Sequence, residues 1–426
     1  MALTKITGKG IGSVAIDEIT SNTAGSSNFV AGVNAGDAIA SGSNHNTVIG
    51  DEAGTNLNSG DSNVFVGYKA GEAATAGGSN TAVGYEALKT EDANGTNVAI
   101  GTGALRTLNA GVDGYNVAVG VSAGYNVTEG IKNTIVGGSA GDALTHADFN
   151  TVYGYNALGA DTQGSNSTAI GYQALMVQNF TSATDSKNVA VGHNCGVAVS
   201  TGTLNTFVGY NAGASNTTGY DNIVVGRNGG DATGNAQGSA LVTGYRNILI
   251  GNEGSLSATD GIHQICLGSH ILGSNSSFTF GNGGTDSRIS VGATSITAPS
   301  DERYKEEITT STAGLSFIND LRPVTFKWKK EKDIPTDHRA YVKDSDKRVM
   351  ERGEKVNHGF IAQEVKAVID NHSEIKDGFD MWQSDPNDGR QRLAPSELIP
   401  MLVKAIQELS AKNDALEARI ETLEGA

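Results

Sequence analysis

The sequence predicts a mainly β fold: a parallel β-solenoid or β-roll rod of about fifteen repeats, followed by a small α+β domain that ends in a parallel coiled coil. Three observations predict it. A five-residue motif recurs, mostly every 17 residues, through the first part of the chain. The composition then changes abruptly at Pro299, and Ile and Leu follow a heptad pattern near the C-terminus.

The change at Pro299 divides the chain. All six prolines lie at or beyond this residue, as do both tryptophans, whereas 51 of the 57 glycines precede it. A chain of 426 residues has room for two or three domains. The composition predicts two: a repeat rod over residues 28–299 and a second domain over 300–426, with residues 1–27 as an N-terminal attachment segment.

The rod is predicted from the repeat Asn-x-x-apolar-Gly, as in "NTVIG", "NVFVG" and "NVAIG". Most successive motif glycines are 17 residues apart. A Gly/Asn/Ser-rich composition also fits a disordered linker, but strict spacing with β-branched residues at fixed positions argues against disorder. The motif glycines are Gly32, Gly50, Gly67, Gly84, Gly101, Gly120, Gly137, Gly154, Gly171, Gly192, Gly209, Gly226, Gly251, Gly268 and Gly281.

Each motif predicts one short strand and one corner. The residue before each glycine is always apolar, so we expect it to be buried, together with the residue two positions earlier on the same face. Stacking one strand per repeat would bury a continuous apolar stripe, and glycine lets the chain turn without a Cβ clash. The asparagine four residues before the glycine, present in 12 of 15 repeats, predicts a ladder of stacked amides.

Charge and cysteine usage exclude several classes of function. A net charge of −16 argues against nucleic-acid binding. The sequence has neither a signal-peptide pattern nor 18 consecutive apolar residues, which predicts a product made in the cytosol without membrane insertion.

Cys195 and Cys266 occupy repeat core positions four repeats apart, so we interpret them as small core residues and not as a disulfide, redox or metal site. The histidines lack metal-ligand spacing. No cofactor and no metal are predicted.

The second domain mixes helix and strand signals. "AGLSFINDLRPVTFKWK" combines a helical start with a β-rich segment, and "HGFIAQEVKAVI" indicates a turn and an amphipathic helix. A coiled coil is predicted over about 396–424, with Ser396 placed to cap its helix. The alternative is a helix that packs back on its own domain. The heptad has Ile399, Ile406, Asn413 and Ile420 at a, and Leu402, Leu409, Leu416 and Leu423 at d, a combination that by itself favours a dimer.

Two family resemblances add to this interpretation. Over residues 28 to about 285 the repeats resemble the head repeats of trimeric autotransporter adhesins and of many phage fibre proteins, which form trimeric parallel β-rolls, although the usual period there is shorter. "SDERYKEEI", "LRPVTFKWK", "HGFIAQEV" and "ELIPMLVKAIQEL", in that order, resemble the endosialidase-type intramolecular chaperone domain of phage tail fibres and tailspikes, which also occurs in the myelin regulatory factor family. The resemblance implies a homotrimer, in place of the dimer that the heptad alone favours.

The resemblance also implies a self-cleavage site. It places a nucleophile at Ser300, a base at Lys305 and the scissile bond between Pro299 and Ser300. A serine Oγ can attack the preceding carbonyl in an N-to-O acyl shift, and water then hydrolyses the ester; the lysine must be uncharged to take the proton. From their spacing alone, the two residues also fit a solvated charged loop. Glu307 departs from the family, in which many members have Asn. We expect at most a single-turnover self-cleavage and no enzyme acting on a separate substrate.

These expectations describe a virion structural protein: a homotrimeric tail fibre or spike, assembled in the host cytoplasm and located in the virion tail. Its N-terminus would dock on the phage tail or baseplate, and its rod would contact a host-surface glycan or protein. One alternative is a bacterial trimeric surface adhesin. Another is a polysaccharide-degrading tailspike, which would need paired carboxylates that the repeat does not provide at a fixed core position. A membrane-tethered transcription factor is disfavoured because the sequence has neither a transmembrane segment nor a DNA-binding domain.

Overall fold

A computed structural model describes residues 24–231, 238–283, 286–293, 296–297, 300–336, 338, 340–350, 354–376, 379–385 and 389–425. The chain forms two compact units, Met1–Ser300 and Asp301–Ala426. Within the described part of the chain, no helix is both long and apolar enough to cross a membrane.

The first unit is a β-solenoid in which each repeat forms one turn, here called a rung. Its main sheet has fifteen parallel strands in chain order and a sixteenth, antiparallel strand at the end. This confirms the predicted mainly β solenoid of about fifteen turns. The parallel strands are β1 (Phe29–Ala31), β2 (Thr47–Ile49), β3 (Val64–Val66), β4 (Thr81–Val83), β5 (Val98–Ile100), β6 (Val117–Val119), β7 (Thr134–Val136), β8 (Thr151–Tyr153), β10 (Thr168–Ile170), β12 (Val189–Val191), β13 (Thr206–Val208), β14 (Ile223–Val225), β15 (Ile248–Ile250), β16 (Gln264–Ser269) and β17 (Ser277–Asn282).

Equivalent residues of successive rungs stack, because neighbouring strands pair in register, with Val48 opposite Phe65 for example. The longer repeat before Gly192 adds a second small parallel sheet, in which β11 (Thr184–Asp185) pairs with β9 (Gly164–Ser165). At the other end, β18 (Ser287–Ser290) pairs antiparallel with β17.

The predicted buried face of the strands is wrong. The middle residue of each strand from β2 to β8, in β10 and from β12 to β15 is buried, as for Val48, Phe65 and Ala82, which have no exposed surface. The residue before the glycine lies on the outer face instead, and Ile100 is 39% exposed there. Side-chain alternation defines two faces but does not say which one is inward. The narrow interior accepts alanine in several rungs, so the larger side chain at the outer position is not evidence of burial.

The interior is filled by compensating sizes within a rung. Where the strand centre is Phe65, the position four residues after the corner glycine is Gly71, and a Cβ there would lie 2.7 Å from the Phe65 ring. Where the centre is Ala82, the same position holds the buried Leu88. A large residue on one side of the interior thus faces a small one on the other, which keeps the rung densely packed.

Glycine is required at the corners for two reasons. Gly67 has φ of 135°, a conformation that side chains with a Cβ disfavour. A Cβ at this residue would also lie 2.4 Å from the carbonyl oxygen of Gly84 in the next rung. Glycine therefore recurs at the corners because of both its backbone conformation and the close stacking of neighbouring rungs.

The predicted amide ladder is confirmed. The backbone N–H of Asn63 donates to Oδ1 of Asn46 (2.8 Å), and the N–H of Asn80 donates to Oδ1 of Asn63 (2.9 Å). Nδ2 of Asn63 donates to the Gly77 carbonyl at 2.9 Å. These asparagines are buried, so the ladder satisfies polar groups that water does not reach.

The rung of Ser167 lacks the amide at the ladder position and replaces it from another position. Ser167 occupies the ladder site, and Nε2 of the buried Gln178 donates to its Oγ at 3.0 Å. Oε1 of Gln178 accepts from Nδ2 of Asn188 in the following rung at 2.8 Å. The ladder therefore continues through this rung.

The second unit is a small α+β domain. Its helices are α1 (Leu315–Asp320), α2 (Ala362–Asn371) and α3 (Leu398–Glu424), with 3-10 turns at Glu302–Tyr304, Glu331–Asp333 and Pro395–Glu397. β19 (Val324–Phe326) pairs antiparallel with β20 (Asn357–Gly359), and β21 (Trp382–Ser384) with β22 (Gln391–Leu393). The core of this unit contains Ala313, Phe317, Leu321, Val365, Ile369, Ile375, Met381 and Leu398.

Helix α3 packs on its own unit only near its start. Leu398 and Ala405 are buried, and the backbone N–H of Leu315 donates to Glu408 Oε2 at 2.9 Å. The predicted cap at Ser396 is wrong: the helix N-cap is Glu397, which makes no side-chain cap hydrogen bond. The helical turn already starts at Pro395, so Ser396 lies within it and not at the extended position that a cap occupies.

Candidate functional site

The predicted cleavage residues lie at the boundary of the two units. Ser300 is the last residue of the first unit, and its side chain is exposed. Lys305 belongs to the second unit and is also exposed. Its backbone N–H donates to the Glu302 carbonyl at 3.0 Å. Pro299 lies outside the described residues. The pairing of Ser300 with Lys305 therefore stays a prediction.

A short capped turn follows Ser300. The Asp301 carboxylate accepts a hydrogen bond from the Arg303 backbone N–H at 2.9 Å and pairs with the Arg303 guanidinium. The hydrogen bond from the Arg303 side chain lowers the pKa of Asp301 below its ordinary value of 3.8. Asp301 and Arg303 thus order the turn Glu302–Tyr304, which lies in sequence between Ser300 and Lys305.

The solenoid has an apolar outer surface in a single chain. We call the first and third residues of β2 to β8, β10 and β12 to β15 the outer strand face; these residues are mostly Val, Ile and Thr. Side chains on this face are half-buried or exposed, with Ile223 at 40% and Ile250 at 42% exposure. A continuous stripe of this kind is typical of a surface that another chain covers.

Helix α3 presents a second apolar surface. Its a and d positions form the helix seam, and on a single chain the apolar members are exposed, from 42% for Leu402 to 71% for Leu423. Asn413, at an a position, donates from Nδ2 to Glu417 Oε1 at 2.7 Å within the same helix. The apolar residues of the helix seam are Ile399, Leu402, Ile406, Leu409, Leu416, Ile420 and Leu423.

The two cysteines are core residues, as predicted. Cys195 and Cys266 are both free and buried. Burial raises the pKa of each thiol to about 12, which suppresses thiolate chemistry. Among the described residues no group of His, Cys, Asp and Glu is arranged to hold a metal ion.

A buried histidine in the second unit gave no sequence signal. Nδ1 of His372 lies 2.9 Å from Glu374 Oε1, and Nε2 lies 2.9 Å from Asp320 Oδ2. The hydrogen bond to Glu374, followed by that to Asp320, raises the pKa of His372 above 6.5. Asp320 is 52 residues away in sequence, so only the folded chain brings the three side chains together.

The surface just after the corner glycines carries two features that the motif analysis missed. In the early rungs it bears an ion-pair ladder: Lys69 Nζ lies 3.0 Å from both Glu52 and Glu72, and Lys89 Nζ lies 2.8 Å from Glu86. In later rungs four rings stack in an aromatic column. Comparing the residues that follow each motif glycine would have found both. The column consists of Tyr155, Tyr172, His193 and Tyr210.

Comparison with known proteins gives one family match. No curated protein and no solved structure is detectably similar to the chain. Residues 300–374 match the model of a family described as "Chaperone of endosialidase". The matched segment starts at Ser300 and covers α1, β19, β20 and α2. This part of the chain is therefore similar to a chaperone of endosialidase, which supports a chaperone domain in the second unit.

Proposed function

We propose that the protein is a homotrimeric phage tail fibre or tailspike-like protein that attaches a virion to its host, and that its second unit is an intramolecular chaperone for trimerisation and folding. The observation that carries the proposal is the match of residues 300–374 to a chaperone of endosialidase, directly after a long β-solenoid. A solenoid of stacked strands depends on correct register between chains and rungs, which is the kind of fold that a chaperone helps.

Two unpaired apolar surfaces support the homotrimer. The outer strand face and the helix seam are both left exposed by a single chain. Covering apolar surface is favourable by about 25 cal/mol per Å², and both surfaces repeat regularly along the chain, so parallel copies can cover each of them in register. The seam would form the parallel coiled coil over about 396–424.

The proposed partners follow from this role. Residues 1–27 would dock the fibre on the phage tail or baseplate, and the solenoid would reach the host-surface glycan or protein. The protein would be assembled in the host cytoplasm and reside in the virion tail.

The proposed self-cleavage uses Ser300 and Lys305. Ser300 Oγ attacks the carbonyl carbon of Pro299 while Lys305 accepts the hydroxyl proton. The bond from Pro299 C to Ser300 N then breaks, and Lys305 passes the proton to that nitrogen, which gives an ester and a free Ser300 amine. Water then hydrolyses the ester, leaving a carboxylate on Pro299 and the hydroxyl on Ser300. Lys305 is exposed on a single chain, where water stabilises its charge. Packing of neighbouring chains would remove that water, so cleavage would follow assembly.

Mass spectrometry of the purified full-length protein tests cleavage and assembly together. We expect two fragments, the smaller beginning "SDERYK", whereas Ser300→Ala and Lys305→Ala should each leave one intact chain. Light scattering should give trimers for all three proteins, because neither substitution changes the outer strand face or the helix seam. A stable monomer or dimer would refute the homotrimer, and fragments from Ser300→Ala would refute the nucleophile.

The dependence of cleavage on assembly needs a separate variant. Leu409→Pro breaks the exposed seam in mid-helix and leaves Ser300 and Lys305 unchanged. We expect it to reduce trimer formation and cleavage together. A monomeric Leu409→Pro protein that cuts itself at the wild-type rate would contradict assembly-gated cleavage.

A further inference from the structure

The aromatic column is an exposed feature of the solenoid surface. Its rings stack along the rungs, with 5.8 Å between the centroids of Tyr155 and Tyr172, 4.9 Å from Tyr172 to His193, and 5.2 Å from His193 to Tyr210. Each residue directly follows a corner glycine. Tyr155, the first ring, is 58% exposed. Inside the column each ring covers the faces of its neighbours, so only a ring at an end of the column can have an open face.

The first ring has such a face. In the preceding rung, the position equivalent to Tyr155 is occupied by Gly138, and a Cβ built on Gly138 would lie 3.5 Å from Tyr155 Cδ2. Gly138 thus sits directly beside the Tyr155 ring without a side chain to cover it. The missing side chain leaves a space one rung high, with the Tyr155 ring as one wall.

The two positions that follow the corner glycine carry no formal charge near this space. At the two positions after the corner glycine, none of the seven rungs from Gly101 to Gly209 has a Lys, Arg, Asp or Glu. Near the space these positions hold the half-buried Ser122, Ser139 and Asn156, whose hydroxyl and amide groups donate and accept hydrogen bonds. The early rungs differ, because there the second of these positions holds Glu52, Lys69 and Glu86 of the ion-pair ladder.

We propose that the space over Gly138 binds one uncharged sugar ring of a host polysaccharide, stacked on the open face of Tyr155. The inference rests on the proposed attachment function. The C–H groups of a pyranose carry partial positive charge and suit the negative face of an aromatic ring, while its hydroxyls suit the neighbouring serine and amide groups. Residues 1–299 hold 21 acidic and only 10 basic residues, so their field repels acidic polymers and favours a neutral glycan.

Filling the space tests the site without removing any contact. Gly138 does not have a left-handed φ, and its Cβ position is in ordinary contact distance, so Gly138→Tyr should fold and extend the column. The matched control is Thr102→Tyr, which adds a tyrosine at the equivalent exposed position two rungs earlier. Tyr155→Ala removes the wall, and Tyr85→Ala, in the early stack with Tyr68, is its control.

The measurement is binding of the full-length protein to an array of neutral and acidic bacterial polysaccharides. We expect binding to at least one neutral polysaccharide, weakened at least about tenfold by Gly138→Tyr and by Tyr155→Ala, and changed less than about twofold by the two controls. Binding to acidic polysaccharides only, to none, or equally well after Gly138→Tyr would overturn the site. Light scattering on the same samples separates the proposals: a trimer that fails on the array overturns the sugar site alone, and a monomer that binds a neutral glycan overturns the homotrimer alone.

Discussion

The two units reach an ordered structure in different ways. In the solenoid, each rung repeats the same contacts with the next one, such as the Asn46 to Asn63 ladder bond, usually 17 residues apart. In the second unit each contact occurs once, as between His372 and Asp320, and the longest helix leaves its seam exposed. The difference teaches that the solenoid is specified rung by rung, whereas the second unit depends on a few unique contacts and on surfaces that a single chain leaves uncovered.

The largest expected effect breaks a rung corner. Gly137 has φ of 138°, and a Cβ there would lie 2.4 Å from the Gly154 carbonyl oxygen. Gly137→Ala should therefore lower the free energy of unfolding of the solenoid by about 3 kcal/mol or more. The adjacent Gly138→Ala is the control, with an expected change below about 1 kcal/mol. Circular dichroism during denaturant unfolding measures both, and equal effects would show that the corner geometry is not what requires glycine.

Removing one amide from the ladder should have the next largest effect. Asn133→Ala leaves the buried N–H of Asn150 without its acceptor, Asn133 Oδ1 at 2.9 Å, and the Ala147 carbonyl without its 2.8 Å donor. We expect a loss of about 2 to 3 kcal/mol in the same experiment. Asn126→Ala removes an exposed amide bond to the Asp142 carbonyl and should cost less than about 1 kcal/mol. A loss for Asn133→Ala as small as that control would mean that the ladder adds little stability.

In the second unit a smaller, pH-dependent effect is expected. His372 has a raised pKa, so its contribution is complete below its ordinary value of 6.5 and is lost as pH rises through the raised value. Glu374 has a pKa lowered mainly by its hydrogen bond to His372, so its contribution is lost as pH falls below 4.5. The second unit should therefore be most resistant to urea at a pH above 4.5 and below the raised pKa of His372.

Tryptophan fluorescence can follow this unit alone, since both tryptophans lie beyond Pro299. The urea midpoint of the full chain should fall between about pH 5.5 and about pH 8.5, and His372→Gln should flatten that dependence. If His372→Gln kept the wild-type pH dependence, another group would be responsible.

The smallest effect is expected at a cysteine. Cys195 occupies a position where most other rungs have alanine, so Cys195→Ala should change the free energy of unfolding by about 1 kcal/mol or less. Because burial raises the pKa of Cys195 to about 12, a thiol reagent should modify the wild-type residue only after unfolding. Rapid modification of the native protein would contradict the buried position.

The regularity of the solenoid explains what its sequence could predict. The motif predicted the strands, the corners at glycines such as Gly67 and the amide ladder, because each recurs at a fixed phase. It did not predict the inward face, since the buried Ala82 looks less like a core residue than the outer Val83 does. The interior of one rung is narrow, and the larger β-branched residues lie on the outer strand face.

The second unit was less predictable for a physical reason. Its helices and the seam of α3 follow from local periodicity, but the contact of His372 with Asp320 joins residues 52 positions apart and leaves no pattern. The roles of Ser300 and Lys305 came from family resemblance alone. Likewise, the face of Tyr155 is open because Gly138 in the preceding rung has no side chain. This relation can be recognised only when the two rungs are aligned in the folded solenoid.

The β17–β18 hairpin has a consequence for how the protein behaves in solution. A parallel sheet that simply stopped would offer unpaired N–H and C=O groups on which further strands, including those of other molecules, could add end to end. Here β18 runs in the opposite direction along β17, and Arg288 is itself paired on its far side, with its N–H to Thr297 O and the Thr297 N–H to Arg288 O both at 2.7 Å. These residues all precede Ser300, so a cut there would leave the hairpin on the solenoid. After such a cut, the solenoid would keep β18 over the last parallel strand, and this end of its sheet would resist the addition of strands from other molecules.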